Sequence, residues 1–155
     1  MTRVERALSI ATFLCFFLQT ALCGATPQKS EPLVIKTAAG AIYFTIEVAQ
    51  GETGHRRGLM FRKNLGEKEG MLFFFPTGAS ASMWMKNTYI SLDMLFLDHK
   101  GTVLYIAENT TPLSEASIHP PQKTGENVCA VLEIKSGLVA KHGIKIGDKV
   151  IHAHF

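Results

Sequence analysis

The sequence predicts a mainly β protein, a compact antiparallel β-sandwich or barrel with one or two short helices. Short runs of apolar, β-branched and aromatic residues recur along the chain, and turn-forming residues separate them. Many short strands at such spacing are typical of sandwiches and barrels. The predicted strands are residues 33–36, 41–48, 71–75, 82–86, 94–98, 103–108, 127–134 and 149–153.

Turn residues predict how some of these strands are connected. Segments 38–40 (Ala-Ala-Gly) and 98–101 (Asp-His-Lys-Gly) are typical of hairpin turns, so we expect antiparallel pairing on both sides of each. Segment 109–126 contains three prolines among scattered polar residues. It is therefore expected to form a long loop over one end of the sheets.

Two stretches interrupt the β pattern and predict short helices. Thr53 is a candidate N-cap for a helix that runs through Leu59. Ser136 is a candidate N-cap for a second helix through His142, which Gly143 would end in a left-handed conformation. Because both are short, the fold stays mainly β.

Residues 1–25 have the pattern of a cleavable signal peptide. Two arginines precede an apolar run over residues 7–22, and small residues follow at 23–25. Polar residues interrupt the run, which is shorter than the ~20 apolar residues of a membrane-spanning helix. We therefore expect cleavage before Thr26, a periplasmic or secreted protein, and no permanent membrane span. Cleavage with lipidation at Cys23 is the alternative.

The chain that remains after cleavage has the length of one domain. Residues 26–32 are polar and contain two prolines, so they are expected to form a flexible leader before a single β domain over residues 33–155. The mature chain has 14 basic and 12 acidic residues, a balance that gives no electrostatic argument for nucleic-acid binding. Cys129 is its one cysteine, so no internal disulfide is expected, and its apolar neighbours favour a buried, unreactive thiol.

Three segments carry the most distinctive residues of the chain. They are 58–62 (Gly-Leu-Met-Phe-Arg), 70–73 (Gly-Met-Leu-Phe) and 85–93, which begins Met-Lys-Asn-Thr and ends Leu-Asp. In order and spacing they resemble the family called domain of unknown function 192 (DUF192), and the resemblance covers about residues 35–151. The chain departs from the family pattern at Ser91, where proline is usual, and near Cys129, where an aromatic residue is usual. The resemblance implies a compact β-sandwich or barrel with short helices and implies no established activity.

The residues around the Met-Lys-Asn-Thr segment are the candidate ligand-binding residues. Arg62 and Lys86 could hold an anionic group, and Trp84 offers a face on which a ring could stack. Asn87 and Asp93 would complete a polar groove. We therefore expect an exported binding or accessory module for a small polar or anionic ligand or an envelope component. The alternative is structural, with Lys86 paired to Asp93, turns capped by Asn87 and Asp93, and Trp84 in the core.

Two further functions are carried as alternatives. An envelope carbohydrate hydrolase would use Asp93 or Glu133 as its acid or base and would need two carboxylates in one cleft. A copper(I) protein would use the thioethers of Met83 and Met85, the weak metal candidates of this chain.

Other chemistry has little support in the sequence. The pair His152-x-His154 would place two imidazoles on one strand face, and it is the weakest of the metal candidates. No phosphate-binding glycine loop, nucleophile elbow or paired-cysteine motif occurs. No cofactor is therefore predicted, and the catalytic residues, if any, stay unknown.

Overall fold

One seven-stranded sheet forms the framework of the protein, in the order β5-β4-β6-β3-β2-β1-β7. The structure is a computed structural model that describes residues 29–76 and 81–155, so the predicted signal peptide lies outside the described residues. The strands are β1 Ser30–Thr37, β2 Gly40–Val48, β3 Glu69–Phe74, β4 Leu92–Leu97, β5 Val103–Ala107, β6 Ala130–Lys135 and β7 Lys149–Ile151. The helices are α1 Gly51–Arg57, α2 Gln122–Gly125 and α3 Leu138–His142.

The pairing of the strands confirms the β class and adds one parallel pair. The two predicted hairpins are present, joining β1 to β2 and β4 to β5 with antiparallel register. Strands β2 and β3 are parallel, with Thr45 opposite Glu69. A parallel neighbour needs a crossover connection rather than a hairpin, and residues 49–68, which include α1, supply it.

Backbone contacts between β7 and the start of β5 bring the two edges of the sheet together. The Val103 N–H donates to the carbonyl of Asp148 over 2.9 Å, and the Val150 N–H donates to the carbonyl of Gly101 over 2.8 Å. Thr102 also forms an isolated bridge with Lys149. The mixed sheet is therefore nearly closed into a barrel, which leaves few unpaired edge groups.

Apolar residues cover both faces of the sheet. Every residue of β4 is buried, and in β6 every residue except the last, Lys135, is buried. Alternate positions point to opposite faces. The inner core includes Leu33, Ile35, Phe44, Ile46, Leu72, Leu95, Leu132 and Val150. The outer core includes Met71, Phe73, Met94, Phe96 and Val131 of the sheet with Leu59, Leu65 and Met85 from the segments that cover it.

The covering segments differ from the sequence prediction in several places. Helix α1 begins at Gly51, and no side chain caps it. The Ser136 hydroxyl donates to the side-chain oxygen of Asn109 rather than capping α3. Segment 82–86 is not a strand, since only Met83 is bridged, to Ile118. The predicted loop 109–126 contains α2, which makes three short helices among the described residues.

The end of α3 and the start of β1 can be compared with the sequence prediction. Gly143 ends α3 with a left-handed φ of 63°, as expected. Strand β1 begins at Ser30, inside the segment predicted as a leader.

Within residues 29–76 and 81–155, no helix is long and apolar enough to cross a membrane.

Closure of the barrel predicts a strong effect of Gly101→Ala on stability. Gly101 has φ +74°, and a Cβ there would clash with the carbonyl oxygen of Val150. Alanine therefore costs the roughly 1–2 kcal/mol of a left-handed residue and also forces β5 and β7 apart. We expect a larger loss in the free energy of unfolding, measured by urea denaturation, than for Gly143→Ala. Gly143 has φ +63° and open space around it, so equal losses in the two variants would contradict this account.

Candidate functional site

A cavity of about 220 Å³ lies over the outer face of the sheet. The end of α1 and the turn after it form one wall, and residues 82–84 form the wall opposite. Phe73 of β3 and Glu133 of β6 lie on the sheet side of the cavity, so they form its floor. The cavity is mainly apolar, and Glu133 is its one carboxylate among the described lining residues.

Glu133 is the polar group at the floor of this cavity. Its residue is 4% exposed, and no described group donates a hydrogen bond to its carboxylate. In the strand register it lies between Met71 of β3 and Met94 of β4. Burial raises its pKa to about 8, while the charge of Arg62 acts in the opposite direction. The carboxyl is therefore largely protonated at neutral pH and can donate a hydrogen bond.

Arg62 forms an ion pair with Glu47 at the edge of the same sheet face. This pair explains why the charge of Arg62 does not outweigh the effect of burial on the pKa of Glu133. Glu47, Met71 and Glu133 are register partners on adjacent strands, so their side chains project from one face. The guanidinium of Arg62 donates two hydrogen bonds of 2.6 Å to the two carboxylate oxygens of Glu47. This bidentate pair raises the pKa of Arg62, chiefly through the Glu47 hydrogen bonds. Both terminal nitrogens of the Arg62 guanidinium are thus paired with Glu47.

Basic side chains from α1 line the wall above Phe73. The ring of His55 packs edge-on against Phe73 and Phe75, with both centroid distances 5.7 Å. Burial lowers the pKa of His55, which favours a neutral ring at pH 7. Arg56 pairs with Glu52 on the exposed side of the helix, whereas Arg57 forms no ion pair with a described residue. Arg57 is therefore the cation of this wall that is available to a ligand.

The opposite wall presents an aromatic face. Trp84 lines the cavity and is 45% exposed. The Lys86 Nζ atom lies 5.4 Å from the centre of the Trp84 ring and 3.4 Å from a carboxylate oxygen of Glu115. Lys86 therefore positions the indole from outside the cavity and does not line it.

The structure does not bring the five candidate residues from the sequence into one groove. Trp84 lines the cavity, but Arg62, Lys86, Asn87 and Asp93 do not. Asn87 has a positive φ of 54°, and its side-chain amide approaches the Met60 sulfur at 3.9 Å. The structural alternative predicted a pair between Lys86 and Asp93, and Lys86 instead pairs with Glu115.

Asp93 has a structural environment on the inner face of the sheet. It is fully buried, and its two oxygens accept backbone N–H bonds from Asn109 at 2.9 Å and Val139 at 3.0 Å. Its register partner is Ile134, whereas the partner of Glu133 is Met94. Adjacent residues of a strand point to opposite faces. Asp93 and Glu133 therefore do not share the cleft that a carboxylate pair would require.

The two methionines considered for copper lie in different surroundings. Met85 is fully buried, and its sulfur accepts a hydrogen bond from the Thr110 hydroxyl at 3.2 Å. Met83 is half-buried, lines the cavity and pairs through its backbone with Ile118. Met85 therefore serves as core packing, and the cavity receives one thioether of the Met-x-Met segment.

Sequence reasoning singled out Glu133 as a possible acid or base but did not place it in this cavity. It also did not connect His55, Arg57 or Phe73 with the site. One feature of the sequence could have pointed to Glu133 as a site residue. It is a glutamate inside the apolar run Val131-Leu132-Glu133-Ile134, and an ionisable residue in a strand buried on both faces is unusual.

A family profile, described as DUF192, uncharacterized ACR, matches residues 34–152. The chain belongs to this family. The resemblance found in the three sequence segments is therefore confirmed. As a DUF192 protein it carries a family assignment that names no activity, and no curated protein matches it.

Solved structures of similar proteins share the fold. A protein of unknown function from Novosphingobium aromaticivorans DSM 12444 is 36% identical, with a TM-score of 0.76, and the match covers 83% of this chain and 89% of that one. A protein from Sinorhizobium meliloti 1021, provisionally described as a transcription regulator, is 38% identical, with a TM-score of 0.78. That match covers 85% of this chain and 100% of the other. These similarities support the barrel and leave the activity open.

Burial of Glu133 predicts a specific dependence of stability on pH. Its pKa of about 8 in the folded protein exceeds its ordinary value of 4.5, so the native state keeps a proton that the unfolded chain releases. The free energy of unfolding should therefore fall between about pH 4.5 and pH 8, by an amount on the order of a few kcal/mol. In Glu133→Gln this contribution should vanish.

Urea denaturation at a series of pH values measures this effect. Glu126→Gln is the matched control, because Glu126 is exposed and its variant should keep the decline of the natural chain. A decline of the same size in Glu133→Gln would show that Glu133 is not its cause.

Proposed function

We propose that this DUF192 chain is a small-ligand binding module, with its site in the cavity above Glu133. The observation that supports the proposal is a buried carboxyl with no described hydrogen-bond donor, facing an apolar cavity. Burial of a polar group is costly unless the group is hydrogen-bonded. A bound ligand that accepts a hydrogen bond from Glu133 would offset part of that cost.

The size and lining of the cavity favour a ligand with one ring. The volume of about 220 Å³ exceeds the roughly 150 Å³ cavity that holds benzene and lies below the range of drug-sized pockets, about 300–1,000 Å³. Phe73 and Trp84 supply apolar and aromatic contacts. The protonated Glu133 would donate to a carbonyl or carboxylate oxygen, and Arg57 would attract an anion at the rim.

Binding is better supported than catalysis. A carboxyl that is protonated near neutral pH has the property that a general acid requires. However, the described lining of the cavity has no second carboxylate to act with Glu133. The polar or anionic ligand expected from the sequence is retained in this proposal, with Glu133, Trp84 and Arg57 in place of Arg62, Lys86, Asn87 and Asp93.

A panel of small ligands tests the proposed binding. We expect monocyclic carboxylates such as benzoate or phenylacetate to raise the melting temperature of the full chain, because a ligand that binds only the folded state stabilises it by mass action. Glu133→Met keeps the volume and removes the donor, and it should weaken binding about tenfold or more, corresponding to about 1.4 kcal/mol. Affinity in the natural chain should also fall above about pH 8, as Glu133 ionises.

Two aromatic variants serve as a matched pair in the same experiment. Trp84→Ala should weaken binding, whereas Tyr89→Ala should not, since Tyr89 is 50% exposed and does not line the cavity. Failure of the whole panel to shift the melting temperature would contradict a single-ring ligand. A shift that Glu133→Met leaves unchanged would move the binding site away from this cavity.

We further propose that the protein is exported, to the periplasm or outside the cell. The support is the signal-peptide pattern of residues 1–25. Expression of the full chain in a bacterial host, followed by intact mass measurement, should give a product that begins at Thr26. A larger mass with a lipidated Cys23 at the N-terminus would instead indicate an anchored lipoprotein, and a product that retains Met1 would contradict export.

A further inference from the structure

A second cluster of polar side chains lies at the end of the barrel where β1 begins and β7 ends. It consists of Glu31, His152 and His154, and one ligand atom from each residue lies within 4.8 Å of the others. Strands β1 and β7 are antiparallel neighbours. The residues that follow β7 therefore return alongside the first residues of β1, which brings these three side chains together.

His152 is the central member of this cluster. Its side chain is 1% exposed, and its Nε2 atom lies 3.1 Å from a carboxylate oxygen of Glu31. The oxygen is close enough for an ion pair, but its direction does not suit a hydrogen bond, so the buried Nε2 atom has no hydrogen-bond partner. The Nδ1 atom faces the Nδ1 atom of His154 at 3.3 Å.

The Nε2 atom of His152 and the nearest oxygen of Glu31 are spaced like two ligands of one metal ion. Zinc binds imidazole nitrogen at about 2.0–2.1 Å in a tetrahedral arrangement, which places neighbouring ligand atoms about 3.3 Å apart. The His152 Nε2 atom lies 3.1 Å from the Glu31 oxygen, whereas the 3.3 Å contact with His154 is made by the other ring nitrogen of His152, Nδ1. One imidazole offers one nitrogen to a given ion, so the exposed ring of His154 would have to turn toward Nε2 to join Glu31 and His152 at the same metal ion. A metal ion would also give the unpartnered nitrogen of His152 an electron-pair acceptor.

The surroundings of the cluster fit a bound cation. The ring of His154 packs against Phe74, and Phe155 lies beside both Phe74 and His152. Phe155 thus packs beside the buried ring of His152, while the exposed ring of His154 leaves an entry path for an ion.

We propose that Glu31, His152 and His154 form a binding site for a divalent transition-metal ion. Two imidazoles and one carboxylate are the donor set of borderline ions such as Zn²⁺ and Cu²⁺, whereas Mg²⁺ and Ca²⁺ prefer sites made only of oxygen. The site is distinct from the cavity above Glu133, since they share no lining residue. The test of the metal site is therefore independent of the test of the ligand site above Glu133.

Calorimetric titration of the untagged full chain with Zn²⁺ tests the site. We expect saturation at one equivalent, a rise in melting temperature with Zn²⁺, and no heat from Mg²⁺. His154→Ala and Glu31→Gln should each weaken Zn²⁺ binding tenfold or more. These variants are preferred to His152→Ala, because removing a buried ring opens a cavity in the core.

His99→Ala is the matched control, because His99 is exposed and lies outside the cluster. It should bind Zn²⁺ as tightly as the natural chain. Absence of Zn²⁺ binding in the natural chain would overturn the proposal. So would full affinity in both His154→Ala and Glu31→Gln, or an equal loss in His99→Ala, since each would mean that Zn²⁺ binds elsewhere on the surface.

Discussion

Burial of the sheet on both of its faces is the constraint on which the other features depend. A barrel of this kind fills its interior with side chains, and here its outer face is also covered, by residues 59–65 and 81–91 and by the His55 ring of α1. Polar atoms on either face of the sheet therefore lose most of their contact with water. Asp93 and Glu133 both occupy such positions, and their different surroundings lead to different roles.

Asp93 shows how a buried carboxylate becomes part of the framework. Its oxygens accept backbone N–H groups from Asn109 and Val139, which belong to segments far apart in the chain. Such bonds compensate the loss of hydration and fix the loop after β5 and the start of α3. Glu133 lacks comparable donors, so burial acts on its pKa instead. The contrast supports a structural role for Asp93 and a binding role for Glu133.

The two proposed sites arise from different parts of the topology. The cavity exists because the crossover between β2 and β3 carries α1 over the outer face. The histidine cluster exists because β7 returns beside β1 and places residues distant in sequence next to each other. In each site one member, Glu133 or His152, is buried by packing of the barrel before any ligand binds, which reduces the entropy cost of ordering that side chain.

The sequence by itself determined the β class, most strands, two hairpins and the family, because these follow from local alternation, turn residues and motif spacing. It did not determine the parallel pair β2–β3, since a parallel pair depends on the path of a long connection. Nor did it show that Trp84 meets Glu133 at one cavity, while Arg62 and Lys86 are occupied by Glu47 and Glu115. Those partners come from distant segments, and only tertiary packing decides which side chains meet.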